Sequence, residues 1–211
     1  MDGLLKNLGK GGNAPRTDLL PLGRYMIGCT FLMLAVVVPG PAVAVDESAL
    51  WAKLRAGGHI VLMRHALAPG IGDPEKFTLD DCATQRNLSD TGRVQPRRIG
   101  DWFRENRVDV TRVFSSQWCR CEETAELLGL GSVAPLPALN SFFQRIGRRG
   151  PKMDAMREWL VEKRSSGRLV FVTHQFNISA LTNHYTTSGE MIIERVQNNG
   201  RLDIVGSIKA D

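Results

Sequence analysis

Short apolar runs alternate with amphipathic segments along most of the chain. Buried strands are predicted at 59–63, 110–115 and 168–173, where apolar and β-branched residues form runs of strand length. Helices are predicted at 48–56, 89–107, 118–128 and 153–163 and again after residue 174, where apolar residues recur at helical spacing. The Gly- and Pro-containing segment 129–137 is expected to be a loop.

The last part of the chain has a different pattern. Two extended segments, 191–197 and 201–208, flank Asn198-Asn-Gly200, which is a strong hairpin turn signal. The strands before it alternate with helices, which is typical of a parallel sheet covered on both faces. The chain is therefore predicted to be of the α/β class, a three-layer α/β/α sandwich with a largely parallel central sheet and an antiparallel edge hairpin.

The first 44 residues do not fit this pattern. Residues 25–45 carry no charge, an apolar run occupies 27–38, and Ala42-Val-Ala44 resembles a signal-peptidase site. We therefore predict a signal peptide with an N-terminal extension at 1–44, cleaved on export, and one domain at 45–211 in the periplasm or outside the cell. The alternative is an uncleaved signal that anchors the protein in the membrane.

The net charge of the chain is mild and does not change these predictions. The chain has a net charge of +5, and loss of residues 1–44, with four basic and two acidic residues, leaves +3. The densest basic group, Arg145, Arg148, Arg149 and Lys152, lies in a Gly-rich segment. It is either a solvated loop or the rim of a site for an anionic substrate, and no nucleic-acid partner is expected.

Three cysteines follow the predicted signal, namely Cys82, Cys119 and Cys121. In an oxidising compartment, Cys82 can pair with Cys119 or with Cys121, which leaves one free thiol. No metal site is expected, because a single residue separates Cys119 from Cys121 and no histidine is nearby.

The candidate chemistry lies at strand ends. His65 and His174 each follow a predicted strand, and parallel neighbours would bring both rings to one rim of the sheet. Arg64 adjoins His65, and Arg120 lies five residues past Ser115, near the start of a predicted helix. Arginine can bind two phosphate oxygens with its planar fork, so this rim is a candidate phosphate site.

Four motifs follow one another along the chain. They are Arg64-His65-Ala66, Leu88-Ser-Asp-Thr-Gly92 with Gln95, Ser115-Ser-Gln-Trp-Cys-Arg120 with Thr124-Ala125, and Val172-Thr-His174. In this order and combination they resemble the motifs of the histidine phosphatase superfamily, also called phosphoglycerate mutase-like, branch 1. The resemblance runs from about residue 58 to 181, and only the combination of its motifs is specific.

The resemblance implies a mechanism without a metal or another cofactor. His65 would attack phosphorus and become a phosphohistidine, which water then hydrolyses. Arg64, Arg120 and His174 would bind the phosphoryl oxygens and stabilise the charge of the transition state. Gln175 is expected to donate a hydrogen bond to substrate, or else to cap the helix that it begins.

Two departures from the family pattern matter. Ala66 stands where the family usually has glycine, which requires a negative φ at that position. The segment 139–143 lacks the glutamate that often protonates the leaving oxygen. Asp80, Asp81 and Glu190 are possible substitutes, and Asp81 is chosen here as the donor. Without a strong donor, the enzyme is expected to favour substrates with good leaving groups.

Two further positions have open roles in the predicted site. Arg86 either lines the pocket or lies at the surface, and Trp118 either walls the pocket or fills the core.

The function predicted from the sequence is an exported, metal-independent phosphatase for a small-molecule or envelope-derived phosphate monoester. The chain also resembles phosphatases of lipopolysaccharide core heptose phosphates, through the stretches Gln85–Leu88 and Thr173–Gln175. Two alternatives remain: a mutase that returns the phosphoryl group to another hydroxyl, and a non-catalytic module that binds a phosphorylated ligand. The sequence leaves the oligomeric state open.

Overall fold

The computed structural model describes residues 46–163 and 167–210. The predicted signal peptide at 1–44 and its cleavage site lie outside these residues. Within the described part of the chain, no helix is both long and apolar enough to cross a membrane.

A six-stranded mixed sheet forms the centre of the domain. Its strands are β1 (Ile60–Arg64), β2 (Arg112–Ser115), β3 (Val133–Pro135), β4 (Leu169–Thr173), β5 (Met191–Val196) and β6 (Leu202–Ile208). The order across the sheet is β3-β2-β4-β1-β5-β6. The first four strands pair in parallel, whereas β5 runs antiparallel to both β1 and β6. The predicted largely parallel sheet with an antiparallel edge hairpin is confirmed.

Helices cover both faces of this sheet. They are α1 (Glu47–Ala56), α2 (Asp90–Glu105), α3 (Cys119–Leu127), α4 (Arg149–Lys163) and α5 (Gln175–Thr182). Alternate residues of the strands point to opposite faces, so Val61 and Met63 pack with α1, α2 and α3, whereas Ile60 and Leu62 pack with α4 and α5. The two cores make the domain the predicted three-layer sandwich.

The segment 129–137 was predicted as a loop, and this prediction was wrong at 133–135. Val133 to Pro135 form the short edge strand β3, which pairs with β2 alone. Pro135 cannot donate a hydrogen bond, which an edge strand tolerates because one of its sides needs no partner. A three-residue strand with a proline gives too little periodicity to be recognised in the sequence.

A disulfide joins Cys82 to Cys119 and so ties the long loop after β1 to the start of α3. Cys121 is the remaining thiol and is buried. The sequence had left two pairings open. The fold decides between them because residues two apart on a helix point in different directions, and Cys121 faces the core beneath His174.

Candidate active site

The two histidines predicted to share a rim lie side by side. Strand β1 pairs with β4 in parallel, and Arg64 is in register with Thr173, so the next residue on each strand is a histidine. The ring centroids of His65 and His174 are 5.5 Å apart. Both side chains are buried and line one pocket of about 240 Å³, together with Arg64 and Arg120.

Main-chain contacts fix the ring of His65. Its Nδ1 lies 2.8 Å from the carbonyl oxygen of Ala66, so Nδ1 carries the proton and Nε2 has the free lone pair. Burial, and next the charge of Arg120, lower the pKa of His65 well below its usual value of 6.5. Arg120 Nε donates to His65 Nε2 at 3.3 Å, which fits a neutral ring.

Ala66 keeps the contact to His65 without backbone strain. Among the described residues other than glycine, only Arg107 and Asn183 have positive φ, so Ala66 meets the condition set by the sequence. Its amide donates to Thr124 Oγ1 at 3.0 Å. Thr124 in turn donates to the carbonyl oxygen of Arg120, one turn earlier in α3. The loop that begins at His65 is thereby attached to the helix that carries Arg120.

Side chains, in contrast, fix the ring of His174. Its Nε2 lies 2.8 Å from Ser116 Oγ, which donates to Asn140 Oδ1 at 3.4 Å. Arg120 Nη2 lies 3.5 Å from His174 Nδ1, so the consistent arrangement has the proton on Nε2. Burial, and next Arg120, also lower the pKa of His174 well below 6.5. The sulfur of Cys121 packs 3.5 Å from Nε2.

Arg120 contacts both histidines and a carboxylate that the sequence analysis did not single out. The guanidinium forms a bidentate ion pair with Asp73, with Nη1–Oδ1 at 2.7 Å and Nη2–Oδ2 at 3.1 Å. Both side chains are 3% exposed. The ion pair occupies two N–H groups of Arg120 that a phosphoryl group could use.

Asp73 has two further donors, the amide of Arg86 at 3.1 Å and Trp118 Nε1 at 3.0 Å. Burial alone would raise the pKa of Asp73, but its hydrogen bonds and the charge of Arg120 prevail and lower it. The carboxyl is therefore ionised at neutral pH. Its position in the loop directly after the first motif was the only signal in the sequence.

Arg64 and Gln175 are linked through Thr186. Arg64 Nη1 donates to the carbonyl oxygen of Thr186 at 2.8 Å, and its Nε is buried without a partner among the described residues. Gln175 lines the pocket, but its Oε1 accepts from the amide and hydroxyl of Thr186 at 2.8 and 2.6 Å, and its Nε2 donates to Ser179. Gln175 therefore positions Arg64 through Thr186, and its amide is committed to this task.

Arg86 and Trp118 each belong to the site. The guanidinium of Arg86 donates to the carbonyl oxygens of Gly72 and Ala68 and lines the same pocket as His65. Its charge contributes to the lowered pKa of both histidines. The ring of Trp118 contacts that of His174, with centroids 5.3 Å apart, and it packs in the core as well as bordering a neighbouring cavity.

Comparisons with known proteins agree with this geometry. The family model described as histidine phosphatase superfamily (branch 1) matches residues 60–141. The resemblance to the histidine phosphatase superfamily is confirmed. No curated protein matches the chain.

Solved structures of low sequence identity share the phosphoglycerate mutase-like fold. The protein histidine phosphatase SixA complexed with tungstate is 19% identical, with a TM-score of 0.52 over 72% of this chain and 97% of its own. The product of the Mycobacterium tuberculosis reading frame Rv3214 is 18% identical, with a TM-score of 0.51 over 70% and 95%. A putative phosphohistidine phosphatase SixA from Agrobacterium tumefaciens is 13% identical, with a TM-score of 0.50 over 72% and 98%.

The carboxylates proposed to replace the glutamate of the histidine phosphatase pattern do not line the pocket. Asp81 is exposed and caps the turn at Cys82–Thr84 by accepting from the amide of Ala83 at 3.0 Å. Asp80 is also exposed. Glu190 is buried, and its carboxylate accepts a hydrogen bond from the amide of Thr187 and contacts the ring of His184. The choice of Asp81 is therefore corrected, because its carboxylate caps a turn outside the pocket. The carboxylate that lines the pocket is Asp73.

Side chains that could bind a metal ion are not clustered in the described residues. In the part of the chain that the structure describes, no group of three or more His, Cys, Asp or Glu side chains could hold a metal ion. The cationic groups of the pocket are arginines.

Proposed function

We propose that this chain is an exported phosphatase that hydrolyses a phosphate monoester through a phosphohistidine on His65. One observation carries the proposal: a neutral histidine, with its reactive Nε2 at 3.3 Å from Arg120, shares a pocket with three arginines and a second histidine. Phosphoryl transfer needs a nucleophile and cations that stabilise the spreading negative charge, and this pocket supplies both.

In the first step, the Nε2 lone pair of His65 forms a bond to phosphorus as the ester P–O bond breaks. Arg64 and Arg120 bind the non-bridging oxygens. The buried Nε of Arg64 has no partner among the residues that the structure describes and is free to do so. The main-chain carbonyl of Ala66 holds the proton on Nδ1 and stabilises the positive charge that develops on the ring. The leaving oxygen departs with the electron pair and needs a proton.

Asp73 is the carboxyl best placed to supply that proton. It occupies two N–H groups of Arg120, so a phosphoryl dianion that binds Arg120 must displace it. Once separated from Arg120 and next to a dianion, the carboxyl loses the charge that lowers its pKa. It then takes up a proton from solvent and passes it to the leaving oxygen.

In the second step, water attacks the phosphohistidine, the P–N bond breaks, and inorganic phosphate leaves with His65 restored to its neutral form. The carboxylate of Asp73 accepts the proton of the attacking water. A mutase would direct a second hydroxyl, in place of water, to the same intermediate.

The proposed place of action and substrate class have support outside the pocket. The Cys82–Cys119 disulfide favours an oxidising compartment and agrees with the predicted signal peptide. A substrate from the cell envelope fits that location and the resemblance to heptose phosphate phosphatases. One solved SixA structure is described as a protein histidine phosphatase, and the other as a putative phosphohistidine phosphatase. These names support phosphoramidates as a second substrate class to be assayed.

The first test is hydrolysis of p-nitrophenyl phosphate by the full-length protein with EDTA present. We expect wild type to release phosphate and to give an acid-labile, base-stable phosphoprotein on rapid quenching, and His65→Ala to do neither. Activity that disappears on chelation would refute the metal-free mechanism. Phosphate found on an added alcohol would favour the mutase, and a folded wild type without turnover on any ester or phosphoramidate would favour the binding module.

The second test concerns Asp73. Asp73→Asn keeps the size of the side chain but cannot transfer a proton. We expect kcat to fall by about 100-fold for alkyl phosphates and only a few-fold for p-nitrophenyl phosphate, whose leaving group needs little protonation. A merely structural role, through the position of Arg120, would reduce both rates by the same factor.

A further inference from the structure

The segment 69–74, here called the Asp73 loop, forms part of the wall of the catalytic pocket. Gly70, Ile71, Gly72 and Asp73 line this pocket. The side chain of Ile71 is 90% exposed, so it contributes little apolar packing to the loop. Gly70 and Gly72 on either side have φ of +92° and +68°, a region that favours glycine. Polar contacts therefore hold most of the loop in its position.

Two side chains bind the backbone of the Asp73 loop. Arg86 Nε donates to the carbonyl oxygen of Gly72 at 2.8 Å. Gln144 Nε2 donates to the carbonyl oxygen of Asp73 at 3.1 Å, and Gln144 Oε1 accepts from the amide of Asp73 at 3.3 Å. The two contacts of Gln144 are exposed, so water can replace them when the loop moves. Opening this loop costs less free energy than moving the buried strands and helices around it.

The strongest anchor of the loop is its own carboxylate, which lies in the fork of Arg120. The two oxygens of Asp73 are 2.7 and 3.1 Å from Nη1 and Nη2, a bidentate geometry that phosphate oxygens also adopt with arginine. Arg120 Nε contacts His65 Nε2 at the same time. One anion at a time can occupy these N–H groups, because two would repel each other at such short distance. Asp73 is thus a competitor of phosphate that the chain itself supplies.

We propose that the Asp73 loop is an autoinhibitory gate, whose carboxylate occupies Arg120 until a phosphate ester displaces it and then returns to expel inorganic phosphate. The inference rests on the proposed function, which assigns the phosphoryl group to Arg120, and adds the movement of the loop and the release of product. Rotation at Gly70 and Gly72 swings the loop outward and breaks its contacts to Arg86 and Gln144.

The gate has a consequence for affinity. It weakens the binding of every phosphate by the fraction of molecules whose loop is open. An ester recovers part of this loss through contacts of its organic portion with the pocket. Inorganic phosphate has no organic portion, so the returning carboxylate of Asp73 competes with it most effectively. The gate therefore reduces inhibition by the product.

The test measures the binding of inorganic phosphate to the full-length protein by calorimetry, without any turnover. Asp73→Asn keeps the size of the side chain but removes the charge that holds the fork of Arg120. We expect this variant to bind phosphate about tenfold more tightly than wild type, as when a minor open state becomes the major one. The inhibition constant of phosphate against p-nitrophenyl phosphate hydrolysis should fall by the same factor.

Glu75→Gln is the matched control for the change of charge. Glu75 is exposed, lies two residues from Asp73 and does not belong to the described lining of the pocket. The variant should keep the dissociation constant of phosphate within about twofold of the wild-type value. Equal gains in the two variants, or no gain in a folded Asp73→Asn protein, would overturn the gate.

Gly72→Ala tests the movement of the loop without changing any charge. A Cβ at this position would lie 3.7 Å from the nearest described atom, in Phe143, so it fits the space. Its φ of +68° is nevertheless unfavourable for alanine, which destabilises the closed loop. Phosphate should bind about fivefold more tightly to this variant. Unchanged affinity in the folded variant would show that Asp73 acts through its charge alone and would also overturn the gate.

The gate and the proposed function can fail separately. If all these affinity changes occur but no ester is hydrolysed in a His65-dependent way, the proposed function fails and the gate stands. If His65-dependent hydrolysis occurs but Asp73→Asn and Gly72→Ala bind phosphate like wild type, the gate fails and the phosphatase stands. Circular dichroism shows whether each variant is folded.

Discussion

His65 and His174 occupy equivalent positions at the ends of neighbouring parallel strands, yet they are held in different ways. A main-chain carbonyl binds Nδ1 of His65, whereas a chain of side chains through Ser116 and Asn140 binds His174. Both rings are buried and have a lowered pKa. Arg120 lies between them and contacts both.

In the proposed mechanism, this difference matches the different tasks of the two histidines. A nucleophile must keep one tautomer and one orientation, and a backbone acceptor provides both in a way that no neighbouring side chain can disturb. A ring that only binds phosphoryl oxygens can be held by replaceable neighbours. Substitutions at His65 and at His174 should therefore have unequal effects.

The largest effect is expected when each histidine in turn is replaced by alanine. His65→Ala should lower kcat by roughly 10⁴-fold or more, because the covalent route is lost. His174→Ala should lower kcat by about 10²–10³-fold, as for the loss of one transition-state donor, because a bound phosphoryl dianion favours a second proton, on Nδ1 of His174. The variant should still form phosphohistidine. Steady-state rates and quench-flow trapping measure the two quantities. Equal losses with no trapped intermediate in either variant would contradict this assignment of tasks.

The next effect is expected at the group that joins the two histidines. Arg120→Lys retains the charge but removes the planar fork that touches both rings and Asp73. We expect kcat/KM to fall by about 10²-fold or more, since a point charge cannot replace two parallel hydrogen bonds. Arg97→Lys, on the exposed face of α2, is the control and should change the rate by less than about twofold. A mild effect at Arg120 would show that charge alone suffices.

A smaller effect should again distinguish His174 from His65. Ser116→Ala removes the partner of His174 Nε2 and leaves the contacts of His65 intact. Loss of a supporting partner of this kind lowers activity by about 10–100-fold. We expect kcat for p-nitrophenyl phosphate to fall by the lower end of that range. The phosphorylation rate of His65 should change by the same factor as kcat. A loss as large as that of His174→Ala would mean that Ser116 itself contacts substrate.

The smallest effect concerns pH and stability. Both histidines have pKa values well below 6.5 in the folded protein, so below pH 6.5 the unfolded chain binds more protons than the folded one. Stability should fall as pH drops through this range, by about 1.4 kcal/mol per pH unit for each histidine, or about 3 °C in Tm. The Tm of His174→Gln should fall less than that of wild type between pH 7.5 and 5.5. Parallel curves would refute buried neutral rings.

Much of the fold and part of the site could be predicted from local sequence. The strands before His65 and His174 are apolar runs followed by abrupt polarity, and the turn at Asn198-Asn-Gly200 gives the hairpin. Strand β3 could not be predicted, because three residues with a proline carry no periodicity. Asp81 was chosen for its position in the chain, but a local hydrogen bond to Ala83 occupies it.

By itself, the sequence determined the layers of the domain, the positions of both histidines and the arginines beside them, because burial patterns and strand ends are local properties. Tertiary structure decided which residues meet across the loops. Only the fold places Asp73 in the fork of Arg120, pairs Cys82 with Cys119 in preference to Cys121, and turns Arg145 and Arg148 toward the neighbouring cavity that Trp118 borders. These contacts depend on how long loops close over the sheet, and the direction of a loop side chain is set by its distant neighbours rather than by its own sequence.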